Sequence, residues 1–207
     1  MTRRRWTISI ALFGVAFALA SWLDRPLFWA LFDPDVTGDD WYWMLRILGD
    51  LRVWAVVSGA LLLAGLAWRR PASVMLGAII GGAITELGKL LVGRERPINN
   101  GIPQITQDPA DTLYIWKGPL GAFSDSSNLG IPSSHTGVAL GGAAALALLF
   151  PRVGWLAIPL ALGCGVSRML TGAHYASDVA LGAALGLLSG WLAVRLLLGP
   201  RPPADAG

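Results

Sequence analysis

Runs of 14 to 18 residues without a charged side chain recur along the 207-residue chain, and they constrain its fold more than any other feature. Six such runs cover residues 6–23, 53–68, 72–85, 136–150, 153–166 and 179–194. A membrane-spanning helix needs about 20 mostly apolar residues, so the flanks of most runs must add to their length. Charged residues make up 14% of the chain, against roughly 25% in ordinary soluble domains. We therefore predict an all-α, polytopic membrane protein with six transmembrane helices in a single domain over residues 1–198, followed by a disordered cytoplasmic tail at 199–207.

The basic residues are distributed unevenly between the two ends of these runs. With six spans both termini lie on one side, and that side carries eight arginines against one aspartate: Arg3, Arg4, Arg5, Arg69, Arg70, Arg152, Arg195 and Arg201 against Asp205. Lys and Arg favour the cytoplasmic side of a membrane. We therefore expect an inner-membrane protein with cytoplasmic termini and with the loops 24–50 and 93–132 on the outer face. The net charge of +3 then reflects topology and gives no support for nucleic-acid binding.

The N-terminus has a second interpretation. Three arginines at 3–5, an apolar run and the sequence Ala-Leu-Ala at 18–20 together resemble a cleavable secretion signal. Cleavage would leave five spans and reverse the orientation of every later loop. The apolar run continues through the bulky residues Trp22 and Leu23, which favours an uncleaved first helix.

Polar residues flank the runs at the ends that this topology places on the outer face. Lys89 and Arg96 follow the third run, Ser133, Ser134 and His135 begin the fourth, Ser167 and Arg168 end the fifth, and His174 and Asp178 begin the sixth. Each has a structural alternative, such as an N-cap for Ser133 or a snorkelling side chain for Lys89. Because ionisable groups at membrane depth are costly, their concentration in one layer favours a functional site.

The residue types at this layer indicate an anion site. Lys89, Arg96 and Arg168 are cations without a cluster of carboxylates, whereas divalent metal sites need Asp, Glu or several His and Cys. Lys89 and Arg96 are seven residues apart, so they share one face if the helix continues. Backbone amides at Ser134 and His135 begin a helix, where they can bind an anion. We expect a phosphate ligand, with neither a metal ion nor another cofactor.

Two histidines beside such a site supply a nucleophile and an acid. An imidazole attacks phosphorus through an unprotonated nitrogen, so another group must hold the proton on the opposite nitrogen. Asp178 lies four residues after His174, one helical turn on, and no acid is similarly placed after His135. This asymmetry predicts His174 as the nucleophile and His135 as the acid that protonates the leaving oxygen.

These residues resemble three motifs of the type 2 phosphatidic acid phosphatase (PAP2) superfamily, which reads K-x6-R-P, then P-S-G-H, then S-R-x5-H-x3-D. Lys89, Arg96 and Pro97 match the first, and the residues from Ser167 to Asp178 match the third. The second is Pro-Ser-Ser-His at 132–135, with Ser134 in the position of the usual glycine. Together the motifs cover residues 89–178, and six spans fit the membrane-bound branch of the family.

The resemblance implies a helical bundle and a metal-independent phosphatase with a phosphohistidine intermediate. It assigns the phosphate to Lys89, Arg96, Ser133, Ser134 and Arg168, and catalysis to His174, His135 and Asp178. The expected substrate is a membrane lipid phosphate: phosphatidic acid, phosphatidylglycerol phosphate, undecaprenyl diphosphate or lipid A phosphate. Two alternatives remain: a lipid phosphotransferase that uses the same intermediate, and a non-catalytic phospholipid binder or transporter, which would not need both His174 and Asp178.

Small residues recur at four-residue spacing in three of the runs. They are Gly77 and Gly81, Gly137 and Gly141, and Gly182, Gly186 and Gly190. Such stripes allow helices to approach closely. We expect them to pack helices within one subunit, so a monomer is favoured over a dimer.

Overall fold

The computed structural model describes residues 3–99, 101–108, 111 and 113–199, and it is mostly helical. The helices are α1 (Arg3–Leu31), α2 (Asp40–Arg46), α3 (Leu51–Leu63), α4 (Arg69–Val92), α5 (Gly118–Ser124), α6 (Ser134–Leu149), α7 (Pro151–Leu170) and α8 (Ala176–Leu198). Two short 3-10 helices cover Pro34–Gly38 and Ile47–Gly49. A two-stranded antiparallel ribbon, which the sequence did not predict, joins β1 (Ile98–Asn99) to β2 (Ile102–Pro103). Of the tail predicted to be disordered, residues 200–207 lie outside the described residues.

Each of the six predicted apolar runs falls wholly or largely within a helix, namely α1, α3, α4, α6, α7 and α8. Among the described residues, four segments are long and apolar enough to cross a membrane: Ile10–Leu31, Arg69–Val92, Pro151–Leu170 and Ala176–Leu198. Helices α3 and α6 are also apolar, but they have 13 and 16 residues. The all-helical membrane fold is therefore supported, and four of the six helices have the length of a span.

The first predicted outer loop begins too early in the chain. It was expected from residue 24, but α1 continues to Leu31. The reason is that Asp24 is 1% exposed and its carboxylate is hydrogen-bonded inside the protein. Its carboxylate accepts hydrogen bonds from the Ser177 backbone N–H and from the Tyr114 hydroxyl, both at 2.8 Å. A charged residue at the end of an apolar run marked a tertiary contact here and did not mark the end of the helix.

Helix α4 also ends earlier than the spacing of Lys89 and Arg96 suggests. Its last residue is Val92, and Gly93 takes the left-handed conformation with φ +68°. A Cβ at Gly93 would lie 2.4 Å from the Gly118 carbonyl oxygen, so a larger residue does not fit the turn. Arg96 therefore follows the helix in a non-helical segment, and the expectation that a continuous helix presents it beside Lys89 is wrong.

The core is built where α4, α6 and α8 approach each other through glycine. A Cβ at Gly81 would lie 2.2 Å from the Gly137 carbonyl oxygen, and one at Gly141 would lie 2.2 Å from that of Gly77. A Cβ at Gly190 would be 2.5 Å from the Gly141 carbonyl oxygen. These backbones are in direct contact, so the glycine stripes pack helices within the chain, as expected. Helix α6 lies at the centre and also contacts α7.

Candidate active site

The turn between α7 and α8 places His174 against the first turn of α8. His174 Nδ1 lies 3.4 Å from Asp178 Oδ2, and the same oxygen accepts a hydrogen bond of 2.9 Å from the Tyr175 backbone N–H. Tyr175 is the N-cap of α8, so Asp178 both caps the helix and contacts the imidazole. The His174 side chain is 1% exposed. Burial lowers the pKa of His174 to about 4, against the opposing effect of the Asp178 carboxylate.

The other carboxylate oxygen of Asp178 is contacted by an arginine that the sequence analysis did not single out. The guanidinium of Arg94 donates to Asp178 Oδ1 and, at 2.7 Å, to Ser177 Oγ. It also lies 4.0 Å from Asp24 Oδ2 and over the rings of Tyr114 and Tyr175, at 4.3 and 5.1 Å from their centroids. This buried network, composed of Asp24, Arg94, Tyr114, Ser177 and Asp178, fixes the carboxylate from the side opposite His174.

Arg94 and Asp24 carried weak signals in the sequence. Arg94 stands two residues before Arg96, and side chains two residues apart in an extended segment point to the same side, which is a reason to expect Arg94 near the same layer. Asp24 interrupts an apolar helix that continues for seven more residues. A carboxylate inside a helix of this kind needs a partner, which is the property that could have identified it.

The first and second motifs meet at Lys89. Its ammonium donates hydrogen bonds of 2.8 Å to Ser134 Oγ and to Glu86 Oε1. The side chain is mostly buried, while that of Glu86 is well exposed. Glu86, one helical turn before Lys89, therefore pairs with it. The side chain of Ser134, which replaces the family's glycine, keeps the ammonium at the start of α6.

Ser133 joins the second motif to the third. It is the N-cap of α6, and its hydroxyl accepts a hydrogen bond of 2.9 Å from the Thr136 hydroxyl. Its backbone N–H donates to the Asp178 carbonyl oxygen at 3.0 Å. The side chain is fully buried, so the structural role considered for Ser133 is present in the fold. This contact fixes the beginning of α6 relative to the first turn of α8.

Arg168 and His135 lie on the other side of this layer. Arg168 donates a hydrogen bond of 3.1 Å to the Tyr42 hydroxyl on α2, while its buried Nε has no partner among the described residues. His135 interacts electrostatically with Arg168, His174 and Lys89. The structure thus brings both histidines close to two of the predicted phosphate-binding cations.

Arg96 enters the layer from the loop that follows α4. Its Nε donates to the Leu129 carbonyl oxygen at 3.2 Å, and the side chain is half-buried. It lines a cavity of about 360 Å³ together with Asn128, Thr171 and Ala173. Arg96 lies within electrostatic range of Lys89 and Arg168, so the third predicted cation reaches the same region.

A larger cavity of about 830 Å³ opens beside His135. Ser134, His135 and Glu86 line one part of it, and apolar residues such as Ile79 and Val138 line another. Among the described residues, no group of three or more His, Cys, Asp or Glu side chains could hold a metal ion. The polar groups that converge here are instead two imidazoles, several cations and one buried carboxylate, a set suited to binding and transferring a phosphoryl group.

Comparisons with known proteins give partial matches to bacterial proteins, two of which are named as phosphatases. The decaprenylphosphoryl-5-phosphoribose phosphatase of Mycobacterium tuberculosis is 35% identical over 116 residues, which are 55% of this chain and 54% of that protein. The lipid A 1-phosphatase of Rhizobium etli is 43% identical over 122 residues, 56% of this chain and 44% of that protein. The bacitracin transport permease protein BcrC of Bacillus licheniformis is 41% identical over 69 residues, 31% of this chain and 34% of that protein. No solved structure gives a significant match.

The chain thus spans about a third to a half of the length of these relatives. A broader match comes from the PAP2 superfamily, whose family description fits residues 70–199. That range is more than half of the chain, includes all three motifs and contains the helices α4, α6, α7 and α8. The resemblance seen in the sequence is confirmed, and the chain belongs to the PAP2 superfamily.

Proposed function

We propose that this chain is a lipid phosphatase that hydrolyses a phosphate ester or diphosphate of a membrane lipid through a phosphohistidine. The observation that carries the proposal is the contact between His174 and Asp178 inside a layer that also holds His135, Lys89 and Arg168. A lipid binder or transporter would use the cations but would not need a buried histidine held by a carboxylate. For this reason we favour an enzyme.

In the proposed reaction, His174 Nε2 attacks phosphorus while Asp178 accepts the hydrogen bond from Nδ1–H. The bond between phosphorus and the leaving oxygen breaks, and His135 supplies the proton that this oxygen takes up. Water then attacks the phosphohistidine, gives a proton to His135 and releases inorganic phosphate and His174. Because the side chain of His174 is buried, the substrate phosphate must displace neighbouring side chains to reach it.

The positive side chains stabilise the charge that develops on the phosphoryl oxygens. We assign this role to Lys89, Arg96 and Arg168, with the backbone amide of Ser134 as an additional donor. Fixed donors at a buried site stabilise such charge without reorganisation during the reaction. The Nε of Arg168, which has no hydrogen-bond partner in the described part of the chain, is one donor that a phosphate oxygen would satisfy. Ser133 contributes by fixing the start of α6, and because its hydroxyl accepts from Thr136, its own O–H remains available to donate to a phosphate oxygen.

The membrane setting completes the proposal. We assign α1, α3, α4, α6, α7 and α8 to six spans, with cytoplasmic termini and the site on the outer face, on the basis of the arginine distribution. The named relatives act on decaprenylphosphoryl-5-phosphoribose and on lipid A. For this chain we propose a lipid phosphate of the same kind, held where α4, α6 and α8 meet the outer loops.

The experiment is phosphate release from a panel of lipid monophosphates and diphosphates by the purified chain in detergent. We expect turnover that persists in EDTA, because side chains supply the positive charge. His174→Ala is expected to abolish both turnover and the acid-labile phosphoenzyme. The matched control is Cys164→Ala, a buried change near the same layer that removes no proposed catalytic group. Turnover by His174→Ala, or a strict requirement for a divalent metal, would contradict the mechanism.

A further inference from the structure

The cavity beside His135 has a charged wall that the proposed hydrolysis of a simple phosphate ester does not use. Arg46, the last residue of α2, lines this cavity, and its guanidinium lies 5.0 Å from the ring centroid of Trp43. The following 3-10 helix packs directly on His135, because a Cβ at Gly49 would lie 2.7 Å from His135 Cδ2. Arg46 is therefore held next to the proposed leaving-group acid, and the two side chains interact electrostatically.

The charges around the cavity are paired except at this residue. Asp50 accepts hydrogen bonds of 3.0 Å from Arg52 Nε, and Glu86 accepts one of 2.8 Å from Lys89. The guanidinium of Arg46 makes no hydrogen bond or ion pair with the described residues, and the residue is half-buried. The cavity wall thus offers one cation whose charge is not neutralised within the described protein, close to the point where the leaving group departs.

The rest of the wall suits a hydrocarbon chain. The cavity is also lined by Ile79, Gly82 and Ala83 of α4, by Leu51 of α3 and by Val138 of α6. A ligand that fits both parts has an anionic group next to His135 and an apolar chain that follows it. A lipid alcohol provides the apolar chain alone, whereas a lipid phosphate provides both.

We propose that Arg46 binds the second phosphate of a lipid diphosphate, so that the leaving group of the reaction is a lipid monophosphate. This inference rests on the proposed function and narrows its substrate class. His174 bonds to the terminal phosphorus, the bond from that phosphorus to the bridging oxygen breaks, and His135 donates a proton to the bridging oxygen. Arg46 balances the negative charge that the departing phosphate gains. Water then releases inorganic phosphate from His174.

Farnesyl diphosphate and farnesyl phosphate are matched probes, because they share the same hydrocarbon and differ by one phosphate. Arg46→Gln is expected to lower kcat/KM for the diphosphate about 10- to 100-fold, the range for a lost hydrogen bond between charged groups. The monophosphate should be hydrolysed at about the same rate as by the unchanged chain, which also shows that the variant is folded. Arg46→Lys keeps the positive charge, so its kcat/KM for the diphosphate should lie between that of the unchanged chain and that of Arg46→Gln.

Arg69→Gln is the control. Arg69 also lies over a neighbouring tryptophan, 5.7 Å from the centroid of the Trp68 ring, but it begins α4, at the end of that helix away from Lys89. It should leave both reactions unchanged. Equal losses on the two probes, or no loss on the diphosphate, would overturn the role of Arg46. A chain that hydrolyses the monophosphate and not the diphosphate would also overturn it. If His174→Ala still hydrolyses the probes, it is the proposed function that fails.

A farnesyl methylenediphosphonate, which resists hydrolysis, should bind the unchanged chain more tightly than it binds Arg46→Gln.

Discussion

At the scale of single residues, the chemistry depends on how firmly one carboxylate is held. Asp178 accepts from Tyr175 N–H and contacts His174 through one oxygen, while Arg94 occupies the other. Few orientations satisfy all three partners, so the imidazole meets a fixed acceptor. The ring therefore needs no rearrangement of Asp178 during attack.

Asp178→Asn tests this acceptor. The amide nitrogen can donate where the carboxylate only accepts, which favours the wrong tautomer of His174. In the well-studied serine-protease pair this change lowers kcat about 10⁴-fold, and we expect a loss of similar order in phosphoenzyme formation. The measurement is rapid-quench trapping of the phosphorylated chain. Asp35→Asn, an exposed aspartate in the first 3-10 helix, should have no effect.

Arg94→Met should affect folding as well as rate. It leaves Asp178 and Asp24 as buried carboxylates without their cation, and breaking a buried pair typically costs about 3–5 kcal/mol. We expect a clearly lower Tm in detergent, monitored by circular dichroism. Arg94→Lys should recover much of the Tm but less of the rate, because an ammonium lacks the planar fork that contacts Ser177 and Asp178 together. A Tm unchanged in Arg94→Met would show that the network does not stabilise the fold.

The pH profile reports on His174. Its pKa is lowered from 6.5 to about 4 by burial, so the ring is neutral at pH 7 and becomes protonated only as the pH falls through about 4. A protonated imidazole has no lone pair for attack. We expect phosphoenzyme formation, corrected for the separately measured ionisation of the substrate, to stay level down to about pH 5 and to fall below it. An acid limb centred near 6.5 would show that the ring titrates as it does in water.

Motif spacing predicted a site at His174, Asp178, Lys89 and Arg168, and the structure brings these residues close together near the ends of their helices. It did not identify Arg94 or Asp24. Asp24 meets Ser177 across 153 residues of sequence, and no spacing rule relates a position in the first helix to one in the last. Contacts of this kind follow from tertiary packing, and sequence periodicity carries no information about them.

At the scale of helices, the site depends on glycine contacts among α4, α6 and α8. Gly141→Ala places a methyl group 2.2 Å from the Gly77 carbonyl oxygen, and overpacking of this kind costs roughly 1–3 kcal/mol. We expect a lower Tm and reduced activity, since α4 carries Lys89 and α6 carries His135. Gly59→Ala in α3 is the matched control: its Cβ would meet no described atom within 4 Å, and alanine favours a helix by about 0.5–1 kcal/mol. Equal changes in the two variants would contradict the packing argument.

The helix ends show where sequence reasoning stops. Hydrophobic runs located the six apolar helices, because burial in protein or lipid requires the same composition over a similar length. The ends of α1 and α4 were misplaced for two different reasons. Buried partners of Asp24 allow α1 to continue, and a left-handed glycine at 93 stops α4 before it reaches Arg96.

At the scale of the whole molecule, the proposed orientation can be tested by cysteine labelling in a Cys164→Ala background. Gln107→Cys lies in the long loop after α4, and Arg152→Cys lies at the start of α7; both positions are exposed. With cytoplasmic termini, an impermeant thiol reagent should label position 107 and not position 152 on intact cells. Labelling at 152 alone would invert the orientation, and permeabilised cells provide the control for reactivity.

The length of α3 has a consequence for the surrounding bilayer. Thirteen helical residues extend about 20 Å, whereas the hydrocarbon core of a bilayer is about 30 Å thick. On the proposed six-span topology, a span this short would draw the two leaflets toward each other, because the alternative is to expose the backbone at its ends to hydrocarbon. On the proposed topology this hydrophobic mismatch lies beside the mouth of the cavity, where Leu51 and Arg52 begin α3. Local thinning there would lower lipid headgroups toward His135, so on this topology the membrane itself would shorten the path that a phosphate travels to the proposed site.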